Sequence, residues 1–221
     1  MSATNSASSR KIPWLFALMV AGCCQLFVAA ANAALIPIPA PPSVSLGALP
    51  SQNNTGYIFF ESFKVLPAPL SVDVTFPGLY NANNSGTPGV IAQGTSVLSF
   101  MIHHQSPSLQ LGTLTGGWIF PGTIIGIIFE DLTLDASDPV VGNPGTLYPT
   151  GLGFRGFDLT TSPVLPDTIF WSGNSLVIVQ SNTQTIMDQL RVIVVPVPGT
   201  LWLAAVAFCG LFFSRYRARR S

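Results

Sequence analysis

Charge is scarce in this chain. Only 8% of its 221 residues are Asp, Glu, Lys or Arg, and the mean hydropathy is +0.50. The formal net charge of zero conceals a segregation: between residues 34 and 198 nine acids face only Lys64, Arg155 and Arg191, a net of −6. A mildly acidic body of this kind excludes nucleic acid as a partner class. Cysteine is scarcer still. Cys23, Cys24 and Cys209 all sit in apolar segments near the termini, so the body has neither a disulfide framework nor a thiolate zinc site. Its stability must come from packing and backbone pairing.

Catalytic signatures are also missing. No H-E-x-x-H, G-x-S-x-G, Walker or dinucleotide-binding motif occurs. The two histidines, His103 and His104, are neighbours, and neighbours on a strand point to opposite faces, so they cannot readily share one metal. The reading is a non-enzymatic protein without a cofactor.

What is present begins with an export pattern. Arg10-Lys11 precede the uncharged run Ile12–Ala31, and Ala31-Asn32-Ala33 offers small residues where a signal peptidase cuts. Residues 1–33 thus read as a signal peptide cleaved after Ala33. Lipidation at Cys23, in the lipobox-like Val20-Ala21-Gly22-Cys23, and an uncleaved anchor are the alternatives.

Residues 34–50 hold Pro37, Pro39, Pro41 and Pro42 and read as an extended lead-in. Residues 51–195 then alternate short apolar, β-branched and aromatic runs with Gly, Pro, Asn and Ser clusters. Strands are predicted at Tyr57–Phe63, Leu70–Phe76, Ser96–His104, Thr113–Phe120, Thr123–Leu134, Gly153–Leu159, Asp167–Trp171, Leu176–Gln180 and Met187–Val195. No segment shows a helical period. The expected fold class is all-β, an antiparallel β-sandwich or jelly-roll-like domain. Strand Ser96–His104 should present Leu98, Phe100, Ile102 and His104 on one face and Val97, Ser99, Met101 and His103 on the other.

Two features of the body could bind ligands. Glu130, Asp131, Asp135 and Asp138 crowd carboxylates into one stretch, which could supply oxygens to Ca²⁺, although a solvated strand face and turn explains them equally well. The aromatics Tyr57, Phe59, Phe60, Phe63, Trp118, Phe120, Phe154, Phe157, Phe170 and Trp171 could stack on sugars, although in a β-sandwich without disulfides such residues more often fill the core.

The C-terminus is the most informative stretch. Val195-Pro196-Val197-Pro198-Gly199 leads into an uncharged run from Gly199 to Phe213, followed by Arg215, Arg217, Arg219 and Arg220. As a helix those 15 residues would be about 22 Å long, short against a hydrocarbon core of about 30 Å. The arginines mark the cytoplasmic side.

Motif, Trp202, run and basic end, in that order at the terminus, resemble a PEP-CTERM sorting domain, nearest to its VPLPA-type variants; Val197 stands where the family usually has Glu. The resemblance covers about residues 194–221. It implies export across the inner membrane of a Gram-negative bacterium, a single-pass precursor with transmembrane span 199–213, and an exosortase-type transpeptidase as processing partner. It further implies an envelope or matrix location in an exopolysaccharide or biofilm context.

More loosely, the body resembles uncharacterised secreted β domains found ahead of such tails. The likeness rests on Gly94-Thr95, Ser99-Phe100, His103-His104, Gly126-Ile127-Ile128, Ser137-Asp138, Tyr148, Arg155-Gly156, Asp188 and Arg191-Val192. The expected role is structural or adhesive. A secreted carbohydrate-binding or carbohydrate-active module and a permanently anchored single-span protein are the other two readings.

Overall fold

The computed structural model describes residues 35–50, 55–105, 112–157, 159, 166–183 and 187–197. The signal peptide with Ala31 and Ala33, Cys23, and the tail with Pro198, Gly199, the span 199–213 and the four terminal arginines lie outside the described residues. Among the described residues no helix is long and apolar enough to cross a membrane.

The fold is mostly β with antiparallel sheets. Eleven strands and one helix are described: β1 (Leu35–Pro37), β2 (Gly56–Val65), β3 (Leu70–Val72), β4 (Gly78–Tyr80), β5 (Gly89–Ile91), β6 (Ser96–Gln105), β7 (Gly112–Ile119), β8 (Gly122–Ile128), α1 (Asp131–Val141), β9 (Thr168–Ser172), β10 (Ser175–Thr183) and β11 (Met187–Pro196). A five-stranded sheet has the order β1-β2-β6-β11-β8, a four-stranded sheet the order β4-β9-β10-β7, and β3 pairs with β5. Every pairing is antiparallel except β1 with β2.

Side-chain alternation along β6 and β11 explains the layering. Ile102, Leu190, Val192 and Val194 point towards the four-stranded sheet and join Leu114, Ile169, Trp171, Leu176 and Ile178 in one buried cluster. The alternate residues Met101 and Ile193 point the other way and join Leu70, Val72 and Ile91 of the small sheet with Leu134 and Val141 of α1. The central sheet is therefore covered on both faces. Residues 187 to 194 of β11 are all buried, as expected of a strand with an apolar layer on either side.

The helix is the main departure from the strand pattern. Thr123–Leu134 was expected to be one strand, and no helix was expected in residues 51–195. Instead β8 ends at Ile128 and α1 starts at Asp131. Leu132 and Leu134 alternate with polar residues and imitate a strand, while Leu134, Ser137 and Val141 form the face that is buried. With Pro139 inside it, α1 is a poor autonomous helix. It is held by side chains from the strands.

At its N-terminal end the buried Asp73 carboxylate accepts from the N–H groups of Phe129 (2.6 Å) and Glu130 (2.8 Å). At its C-terminal end Ser62 Oγ donates to the Val141 carbonyl (2.5 Å) and Lys64 Nζ to that of Val140 (2.8 Å). The Glu130 N–H at the N-cap and the Val140 and Val141 carbonyls are groups that a helix end leaves unpaired, and the Lys64 charge suits the negative end of the dipole.

Two smaller corrections follow. The strand expected over Gly153–Leu159 is not formed by 153–157: those residues make a loop that pairs with the sheet at the Gly156–Gln189 bridge, and Phe157 and Leu159 add their side chains to the core. Leu70–Phe76 shortens to β3, and part of the proline-rich lead-in pairs with β2 as β1. The faces expected for Ser96–His104 are those observed: Ile102 belongs to the cluster shared with the four-stranded sheet, and Val97 and Met101 to the cluster on the helix side.

Candidate functional site

The four carboxylates singled out from the sequence lie at the start of α1 and along it. Asp131, Asp135 and Asp138 follow i, i+4, i+7 spacing and so share one side of the helix. That side faces Arg155, whose residue is fully buried. Arg155 Nη1 donates to Asp135 (2.6 Å) and Asp138 (2.7 Å), and Nη2 donates to Asp138 (2.8 Å). Asp131 accepts from the N–H groups of Arg155 (2.9 Å) and Gly156 (2.6 Å). Glu130 sits exposed at the N-cap of α1. Three of the four carboxylates thus face arginine or backbone donors, and they lie on a helix rather than on a solvated strand face and turn. Among the described residues no group of three or more His, Cys, Asp or Glu side chains is arranged to hold a metal ion.

Next to Arg155 lies a second buried arginine, one that no motif marks as a centre. Arg191 of β11 meets Glu61 of β2 end-on, Nε to Oε2 at 2.7 Å and Nη2 to Oε1 at 2.8 Å. It also reaches Asp138 Oδ1 (2.8 Å), the Leu134 carbonyl (3.3 Å) and Ser137 Oγ. Glu61 further accepts from Ser99 Oγ and from the Tyr148 hydroxyl, each at 2.6 Å. The Tyr148 ring lies 5.4 Å from the Arg191 guanidinium and 5.7 Å from that of Arg155, within cation–π range of both.

Burial works against the charge of Arg191, but the Glu61 and Asp138 carboxylates outweigh it and hold the guanidinium above its ordinary range. Burial, then the neighbouring Glu61 charge, push the Tyr148 phenol up, so it stays a donor. The two arginines share Asp138, which makes α1, β2, β11 and the 148–156 loop one connected polar unit.

This unit explains why a glycine follows Arg155. A Cβ on Gly156 would lie 1.9 Å from the Phe129 carbonyl oxygen, so only glycine lets the loop approach closely enough for its N–H to reach Asp131.

The histidines point to opposite sides of the sheet, as expected. His103 Nδ1 lies 3.0 Å from Gln189 Nε2, which also donates to the Val44 carbonyl (2.9 Å). Gln189 Oε1 in turn accepts from Arg155 Nε (2.7 Å). Burial lowers the His103 pKa to about 4, opposed by its hydrogen bond with Gln105 and assisted by the His104 and Arg155 charges.

His104, on the other side, forms a buried chain with Ser181 and Asp188. His104 Nδ1 is 2.9 Å from Ser181 Oγ, and Ser181 Oγ donates to Asp188 Oδ2 (2.5 Å). A nucleophilic triad needs the histidine between serine and acid. Here the serine is in the middle, at most 1% of any of the three residues is exposed, and its proton is directed at the carboxylate. The arrangement ties β10 to β6 and β11.

Of the candidate sugar-stacking aromatics, Tyr57, Phe59, Phe120, Phe157 and Trp171 are buried, and Trp118 packs against the core. Phe60, Phe63, Phe154 and Phe170 stay exposed.

The first residues of the terminal proline-bearing stretch belong to the fold itself. Val195 and Pro196 are the last residues of β11, paired with Thr123 and Gly122 of β8, and Val197 is the next residue along.

No family model matches the chain, and no curated protein or solved structure matches it either. Ser99, Asp138, Tyr148, Arg155 and Arg191 all belong to the polar unit around Glu61 and Asp138.

Proposed function

We propose that this chain is an exported, non-enzymatic protein of the envelope or extracellular matrix of a Gram-negative bacterium, structural or adhesive beside exopolysaccharide. Its body is a sandwich-like β domain and its tail a sorting signal of the PEP-CTERM kind. In that chemistry the protein is a substrate. It supplies Pro196-Val197-Pro198 as the recognition element, and the nucleophile belongs to an exosortase-type transpeptidase in the membrane. The observation that carries the reading is the order of the terminal features: proline motif, 15 uncharged residues, then four arginines. The position of Val197, directly after the last strand and 43% exposed, is compatible with recognition beside a folded domain. The buried arginines, carboxylates and histidines are engaged in holding the fold, which supports a structural role for the body.

Intact-mass measurement of the protein taken from its native envelope tests this. The expected mature form begins at Ala34 and lacks the residues after Pro198. Retention of Arg215 to Arg220 would replace sorting by permanent anchorage.

A further inference from the structure

The strand register gathers an apolar surface at one end of the five-stranded sheet. The last three residues of β2 are Phe63, Lys64 and Val65, paired with Leu98, Val97 and Ser96 of β6. The last three of β11 are Val194, Val195 and Pro196, paired with Ile124, Thr123 and Gly122 of β8. Among these twelve residues the single charge is Lys64, whose ammonium is turned towards the end of α1. The opposite end carries Asp188 beside His104 and leads from β8 into Asp131 of α1.

A bulge in β2 between Phe60 and Ser62 turns Glu61 and Ser62 to the helix side and leaves Phe60, Phe63 and Val65 together on the other face. They are 45%, 58% and 59% exposed. The four-stranded sheet leaves them uncovered; β7 meets β2 at the other end of that strand. Its Leu114 sits against Leu35 and Gly56 at the far end, whereas its near end turns into β8. Phe60 packs edge-on against Phe100 (5.5 Å between centroids), and Phe100 against the buried Phe120 (5.1 Å). The exposed rings are thus an outward continuation of the core. Ile119, at the near end of β7, is 68% exposed.

We propose that this end of the domain, with Phe60, Phe63 and Val65 foremost, docks on the lipid bilayer that the C-terminal run enters. The occupant follows from where the chain goes. Only Val197 and Pro198 separate β11 from Gly199, the first residue of the uncharged run, a link of at most about 10 Å even when extended. β2 lies two strands from β11, again about 10 Å, so the end of β2 that carries Phe63 and Val65 lies within about 20 Å of the run's first residue. The run is shorter than a hydrocarbon core is thick, which draws the domain into the interface rather than away from it. Phe and Val side chains are suited to that layer.

This inference rests on the reading that the tail enters a membrane, so the experiment reports on both. The full chain, with Cys23, Cys24 and Cys209 changed to Ser, is reconstituted in phosphatidylethanolamine/phosphatidylglycerol vesicles. Nitroxide labels are placed singly at Phe63→Cys, at Val177→Cys on the outer face of the four-stranded sheet, and at Leu203→Cys in the run. Access of oxygen and of a water-soluble nickel chelate is measured at each. The expected result is loss of nickel access and gain of oxygen access at 63 and 203, with 177 fully open to nickel. Lipid-like values at 203 with an aqueous 63 would overturn docking and leave the anchor standing. An aqueous 203 would overturn both. Strong dipolar broadening between labels at 63 would overturn lipid docking in favour of a second copy covering this end.

Discussion

Arg191 and Glu61 meet across an intervening strand. Arg191 stands on β11 and Glu61 on β2, with β6 between them, and the two-pronged contact passes over Ser99, which donates to the same carboxylate. Both partners are buried, so neither charge can fall back on water. Leaving one member of such a pair unpaired costs about 3–5 kcal/mol. Arg191→Met strands Glu61 and frees Asp138 from one of its two arginines, and it is expected to destabilise by that amount in a denaturant titration. Adding Glu61→Leu should return part of the loss, giving a double variant more stable than the sum of the single changes. Strict additivity would show that the two side chains do not depend on each other.

The helix depends on groups outside itself, and Asp73 is the most exposed to test. Its carboxylate accepts from the N–H groups of Phe129 and Glu130 and from the Thr133 side chain. Burial raises its pKa, and these hydrogen bonds pull it back. Asp73→Ala should cost about 1–2 kcal/mol, as loss of a helix cap does. Amide exchange should quicken over the first turn of α1 while β6 and β11 stay protected. Uniform acceleration over the whole domain would mean that α1 and the sheet open together.

His103 predicts an acid-sensitive fold. Its pKa is about 4 in the folded chain against 6.5 unperturbed, so between those values the unfolded chain takes up a proton that the folded chain refuses. Stability therefore falls as pH drops from about 6.5 and levels off below about 4. This group contributes on the order of 3 kcal/mol to the loss. A His103→Gln variant, which cannot titrate, should show a smaller stability difference between pH 7 and pH 4. An identical difference would assign the acid lability to other groups.

Much of the architecture was legible because β periodicity is a short-range signal. Ser96–His104 displayed both faces, and its register carried over to β11 once Leu190, Val192 and Val194 alternated with Met187, Arg191 and Ile193. α1 was illegible as a helix from its apolar residues, since Leu132 and Leu134 alternate and Pro139 interrupts the sequence. Its real signature was polar: Asp131, Asp135 and Asp138 at helical spacing, matched to an arginine about twenty residues on. The partner of those carboxylates could not be read from the stretch itself, because Arg155 lies outside it and only the fold brings it against the helix. Arg191 was hidden for the same reason. A lone arginine in an apolar strand carries no sign of the Glu61 waiting two strands away.

The last prediction concerns how tightly the motif is held. β8 begins at Gly122, opposite Pro196, and a Cβ there would lie 2.1 Å from the Val195 carbonyl oxygen and 2.9 Å from a Val194 methyl. The backbone of β11 leaves no room for it. Gly122→Ala must therefore push apart the ends of β8 and β11, at a cost of about 1–3 kcal/mol for the overpacking. Gly117→Ala makes a fair comparison, since a Cβ there meets its nearest neighbours at 3.3 and 3.5 Å. Limited proteolysis followed by mass spectrometry should show faster cleavage around Val195–Val197 in Gly122→Ala, with Gly117→Ala close to the parent. If a sorting enzyme reads Pro196-Val197-Pro198, the same change should also expose that sequence and speed processing in the cell. Faster proteolysis without faster processing would mean that β8 does not limit access of the enzyme. Unchanged proteolysis would mean that β8 gives way instead and the motif stays paired.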